Sequence, residues 1–146
     1  MEYRRFGQKL VLRLDPEEEV GECLMNLSEK ENIRLAKVSG LGAAKEVELG
    51  LFDTEQKEFK GQCYKGAYEI ASLNGSITRK DGEPYLHLHM VIGSPVQGAC
   101  HGGHMKRAVI SATAEIFVDI LDGEVGRKMS EEIGLNLFDF AGEGLE

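Results

Sequence analysis

The 146-residue chain predicts an α+β fold: a single domain spanning 1–146, with a largely antiparallel sheet and one or two packed helices. Three observations carry this reading. Apolar and polar residues alternate through most of the chain, the period of half-buried strands. Short polar turns join several of these segments, and strands joined by short turns pair antiparallel. One stretch near the start carries a helical stripe instead.

Taken in order, Lys9 to Leu14 sets Leu10, Leu12 and Leu14 against Lys9 and Arg13, which reads as a first strand. Asp15-Pro16-Glu17-Glu18 then has the form of a helix start, with Asp15 as the cap, Pro16 in the first turn and Glu18 completing a capping box. Val20, Cys23, Leu24 and Leu27 fall at i, i+3, i+4 and i+7, so one stripe should pack on the sheet. Cys23 on that stripe is expected to be a small buried hydrophobe. The helix should end near Glu31 and Asn32, and Ile33 to Ser39 should be a second strand.

Gly40-Leu41-Gly42 lacks the third glycine and the helical pattern of a dinucleotide fingerprint, so a tight strand connection is expected there. Val47, Leu49 and Leu51 mark a further strand, Asp53 to Lys57 a turn, and Glu58 to Tyr64 its hairpin partner. Tyr68 to Thr78 reads as another strand, with Gly75 marking a bulge or a close approach. Lys80-Asp81-Gly82-Glu83 is a hairpin turn leading into a strand from Tyr85 to Ile92. Lys106 to Thr113 mixes helix and strand formers, whereas Glu115 to Ile120 alternates clearly. Asp122 to Glu132 reads as a charged connector, Leu135 to Phe140 as a short terminal strand, and Gly142 to Gly144 as a frayed end.

Composition narrows the function classes. With 25 acidic and 17 basic residues, the net charge of −8 repels phosphate backbones. The basic pairs Arg4-Arg5, Arg79-Lys80, Lys106-Arg107 and Arg127-Lys128 are dispersed and lie near acidic residues, so none forms a basic stripe. No stretch approaches a membrane span in length, and the opening residues lack the apolar run of a signal peptide. Cys23, Cys63 and Cys100 are odd in number and have no zinc-ribbon spacing. A cytoplasmic protein with reduced thiols is the expectation.

The chemistry concentrates between Tyr85 and His104, which holds all four histidines, His87, His89, His101 and His104. On a strand, His87 and His89 share one face while Leu86, Leu88, Met90 and Ile92 share the other. Two imidazoles so placed can reach one metal ion. The loop after this strand supplies the expected third ligand, His104, which follows Gly102 and Gly103, residues that let the backbone turn tightly and approach closely. Three neutral imidazoles leave a tetrahedral ion with one open position, and the donor set favours zinc, with nickel or iron as alternatives. His101 could replace one ligand, and Cys100 is a further candidate. Glu69 and Glu115, each within an apolar strand, are candidates for orienting a ligand or for a general base; pairing with arginine or facing solvent are their structural alternatives. A cupin would place a ligand glutamate shortly after the second histidine, where this chain has Met90-Val91-Ile92-Gly93.

Arg4 to Gly7, Val38 to Ala43, Tyr68 to Gly75, His87-Leu88-His89, Gly102-Gly103-His104 and Thr113 to Ile116 occur in an order that resembles the plants and prokaryotes conserved (PPC) domain, from about Arg4 to Phe140. The resemblance implies a single α+β domain, a homotrimer, and a three-histidine site at His87, His89 and His104. It also implies a DNA-binding label, taken from plant proteins in which an Arg-Gly-Arg-Pro core enters the minor groove. That tetrapeptide does not occur here. Three readings follow: a metal-binding protein that binds or acts on a small molecule, with enzyme activity left open; a DNA-binding regulator; and a metal-free trimeric interaction module.

Overall fold

The computed structural model describes residues 1–141, which form one helix and eight strands. β1 (Glu2–Phe6) and β2 (Lys9–Leu14) make a hairpin, followed by α1 (Val20–Lys30). Four long strands carry most of the chain: β3 (Ala36–Asp53), β4 (Glu58–Lys80), β5 (Glu83–Ser94) and β6 (Ala99–Ile120). β7 (Gly126–Ser130) and β8 (Leu135–Asp139) form a separate hairpin.

All pairings are antiparallel, in the order β1-β2-β6-β3-β4-β5, with β5 pairing back onto β6. β6, β3, β4 and β5 therefore close into a ring. Alternation sends Leu73, Ile77, Leu88, Met90, Ile92 and Ile116 into the core, each at most 2% exposed. The other faces of the same strands are free to carry polar side chains. α1 packs Val20, Leu24 and Leu27 against the sheet; burying each of these contributes about 1.5–3 kcal/mol.

Several expectations are corrected. The helix cap is Glu19, not Asp15. Glu17 adopts a φ of 75° and the backbones of Glu17 and Glu18 pair with Ile110 on β6, so residues 15–18 are committed to a turn before the helix starts. Glu18 does reach back to the Asp15 amide, at 2.8 Å, as a capping box would. The Glu19 carboxylate accepts from Gly21 N, Glu22 N and Ala108 N at 3.0, 2.7 and 2.9 Å, which caps the helix and ties its start to β6. Cys23 is half-buried against the core rather than fully inside it.

The expected connection at Gly40 to Ala44 is instead part of the continuous strand β3, whose register shifts at bulges between Gly40 and Gly42 and between Ala44 and Glu46. The two strands expected within 58–78 are one, β4. Lys106 to Thr113 is strand, because it lies between β3 and the turn before α1 and its backbone groups pair there. The charged connector contains β7, so there is no second helix among the described residues. β1 is an addition to the elements expected from sequence. The frayed end expected at Gly142 to Gly144 lies outside the described residues.

Candidate metal centre

His87 and His89 project from the outer face of β5, while the intervening Leu88 and flanking Met90 are buried. His104 was expected on a loop but stands on β6, directly paired with His89. Its other strand neighbour is Gly50 on β3, and His87 and His89 pair on their far side with Ser76 and Asn74 of β4. The site is thus built on two adjacent strands of a closed ring, β5 and β6, flanked by β4 and β3, whose ladders fix the backbone beneath each imidazole.

Two glycines make this crossing possible by closeness. A Cβ at Gly75 would lie 2.0 Å from the His87 carbonyl oxygen, and one at Gly103 would lie 2.6 Å from that of Gly50. Gly103 therefore serves strand packing rather than the tight turn its sequence suggested.

The ring centroids are 5.1 Å apart for His87 and His89, 5.4 Å for His87 and His104, and 5.6 Å for His89 and His104. The Nε2 atoms of His87 and His89 are 3.2 Å apart. One nitrogen from each ring lies within 4.8 Å of the others, and among the described residues no carboxylate or thiol joins the group. Tetrahedral zinc with its usual nitrogen distances needs ligand atoms about 3.3 Å apart, the spacing of the His87 and His89 pair. Burial pushes the pKa of His87 below the ordinary histidine value, helped by His104, His89 and Arg127. Burial, then His89, does the same for His104. Both rings are held toward the neutral form, the one that ligates a cation.

The surroundings are aromatic and cationic. Phe59 meets His104 edge-on at 5.7 Å, with the Lys106 ammonium 5.2 Å from the Phe59 ring centre. Arg127 reaches in from β7 to Ser76, the strand partner of His87. The sequence marked Arg127 only as half of a dispersed basic pair and Phe59 not at all, because their relevance comes from long-range packing.

The remaining candidates lie elsewhere. His101 pairs with Ile92 and turns to the opposite face, stacked on Tyr64 at 4.1 Å and edge-on to Tyr68 at 6.3 Å. Cys100 is exposed opposite Gly93, roughly 13 Å along the strand from His104. Glu69 is exposed on β4 and lines a cavity of about 420 Å³ with Tyr68, Ser94 and Ser111. Glu115 is exposed on β6, paired with Arg13 and Leu41 at the far end of the sheet. Neither carboxylate belongs to the histidine group.

Among solved structures, the fold is similar to a metal-containing protein from Archaeoglobus fulgidus, at 32% identity over 94% of this chain and 96% of that chain, with a TM-score of 0.85. A plant- and prokaryote-conserved protein from Pyrococcus horikoshii shares 33% identity over 99% of this chain and 95% of its own, with a TM-score of 0.82. A protein from Bacteroides thetaiotaomicron that carries a provisional DNA-binding name shares 25% identity over 95% and 96% of the two chains, with a TM-score of 0.91. No functionally curated protein matches the chain. The family model for the Plants and Prokaryotes Conserved (PCC) domain, the same name that the sequence motifs suggested, matches residues 1–122. The chain belongs to the Plants and Prokaryotes Conserved domain family.

Proposed function

We propose that this chain is a metal-binding protein in which His87, His89 and His104 hold a divalent cation and leave one position open to a small molecule. The observation that carries this is the convergence of three ring nitrogens within 4.8 Å on one face of a rigid sheet. All-imidazole ligation favours zinc, and nickel and iron accept the same donors. A cation bound by three histidines supplies Lewis-acid polarisation or an activated water, and the chain's own part is to hold the rings neutral and oriented. The similar Archaeoglobus protein is metal-containing, which supports the reading.

The test is metal content. Purified protein should carry close to one ion per chain, and the His87→Ala, His89→Ala double variant almost none. Equal metal in both overturns the proposal.

The protein works as a homotrimer in the cytoplasm on this reading. Exposed Leu41 and Phe117, on neighbouring strands β3 and β6, offer apolar surface for assembly. The three free cysteines suit a reducing compartment. Light scattering that returns a monomer at micromolar concentration removes the trimer.

A second reading, DNA binding, is favoured by the provisional names of the Bacteroides relative and of another from Ralstonia eutropha. It predicts duplex binding that weakens steeply with salt. The acidic net charge opposes it, and surface bases are tied up, as in Arg5 with Glu31 at 2.8 Å, Lys9 with Asp119 at 2.6 Å and Arg34 with Glu124 at 3.0 Å. A gel-shift titration at low salt decides: no retarded band eliminates this reading. A third reading, a metal-free interaction module, requires an oligomer whose thermal stability chelator leaves unchanged.

A further inference from the structure

Arg127 is fixed beside the histidine group by a set of contacts that, among the described residues, includes no carboxylate. Nε donates to Thr78 Oγ1 at 3.0 Å, Nη1 to the Asn136 carbonyl at 3.2 Å and Nη2 to Ser76 Oγ at 3.3 Å. The guanidinium carbon stands 4.9 Å from the Tyr85 ring centre and 4.2 Å from that of Phe138. Register converts these contacts into a location, since Ser76 pairs with His87 and Thr78 with Tyr85. Directly opposed residues on one face have Cβ atoms about 4.5–5.5 Å apart. The Arg127 head therefore sits over the β4 and β5 pair on the same face as His87.

Two features of this arrangement point to a ligand. First, the three acceptors of Arg127 among the described residues are uncharged oxygens. Its planar head carries five N–H donors, so one on each terminal nitrogen is left over. Second, a cation held by the three histidines would stand beside this second fixed positive charge. Two cations so close repel each other, and an anion lying between them removes the repulsion and meets both. The guanidinium fork matches a carboxylate in shape as well as charge.

We infer that Arg127 is the anchor for a small carboxylate ligand at the open side of the three-histidine site. This rests on the metal-binding reading and gives its ligand a chemical class. The β7–β8 hairpin then has a purpose beyond covering β4: it carries the anion-binding residue to the site. Held by three hydrogen bonds and two rings, the guanidinium needs no reorganisation when the ligand arrives.

The experiment uses full-length protein loaded with cobalt(II), whose visible absorption reports changes at the ion, titrated with acetate against chloride at matched ionic strength. Acetate should shift the spectrum saturably where chloride does not. Arg127→Lys, which keeps the charge but loses the fork, should retain cobalt at the wild-type ratio while binding acetate about tenfold more weakly. An acetate response no different from that of chloride, or equal acetate affinity in the variant, overturns the inference while leaving the metal site standing. Failure of the wild-type protein to take up cobalt overturns the underlying metal reading instead. Should Arg127→Lys not fold, Ser76→Ala, which removes one acceptor that holds the guanidinium, is titrated in its place, and acetate affinity equal to that of the wild type overturns the inference.

Discussion

His89 and His104 are directly paired residues of antiparallel β5 and β6, with ring centroids 5.6 Å apart. A ladder on each side holds the backbone of both. Such donors gain from a cation by mass action: a metal present at 100 to 1,000 times its dissociation constant adds about 3–4 kcal/mol to stability. Zinc should therefore raise the thermal midpoint of chelator-treated protein by several degrees. His104→Ala should abolish that rise, and calorimetry with and without zinc reads both outcomes. A variant that gains as much as the wild type places the ion elsewhere.

His87 and His104 titrate below the ordinary histidine value of 6.5 because burial disfavours their charged forms. The unfolded chain then binds protons that the native state refuses, so stability falls as pH drops below about 6.5 toward the depressed native values. Above 6.5 this contribution is fully present. For metal-free protein, the midpoint should decline from pH 7.5 to pH 5.5, and a His87→Gln, His104→Gln variant should show a flatter profile over that window. Identical profiles would mean that neither ring is desolvated in the native state.

Much of this site was legible because strands have period two. His87 and His89 were placed on one face from spacing alone, and the burial of Leu88 and Met90 follows the same rule. The support beneath His104 was not legible: a diglycine reads equally as a turn or as a place where two backbones nearly touch, and only the position of Gly50 separates the two. Long strands were cut short for a related reason. Gly40 and Gly42 look like a connection, yet neighbours on both sides of β3 supply partners that carry the strand through its bulges. Arg127 shows in the sequence only as half of a basic pair, with nothing to place it near the histidines, since Gly126 to Ser130 has no alternation and its strand forms by pairing with β8.

Adding a methyl group at Gly75 or Gly103 tests whether backbone closeness sets the histidine geometry. The new Cβ would sit 2.0 Å from a carbonyl oxygen at Gly75 and 2.6 Å at Gly103, both on backbone that cannot step aside. Gly103→Ala should cost about 1–3 kcal/mol, as overpacking does, and Gly75→Ala should cost more. Both should also weaken metal binding, because the displaced strands carry His104 and His87. Urea unfolding gives the first quantity and a competition titration with a chelator gives the second. A stable Gly103→Ala protein with wild-type metal affinity would show that the strands have room to spare.

Glu19 serves three backbone amides at once, two in the first turn of α1 and one on β6. Replacing it with alanine removes a cap and leaves the Ala108 amide without that acceptor, a loss of about 1–2 kcal/mol. Asp15→Ala, at the residue the sequence suggested as cap, should cost less. The comparison is made by urea unfolding of the two variants, and equal losses would argue that residues 15–18 cap the helix after all.

The three thiols should separate by reactivity. Burial, reinforced by the neighbouring Glu18, pushes the Cys23 thiol up to about 11, whereas Cys63 and Cys100 are exposed. The thiolate is the reactive form, so at pH 8 Cys23 is both shielded and almost wholly protonated. A colorimetric disulfide reagent should label two thiols per native chain quickly and the third only on unfolding. Because Cys23 lies on the helix face that packs against the sheet, its labelling rate in dilute urea reports detachment of α1. Rapid labelling of all three in native buffer would mean that the helix opens without denaturant.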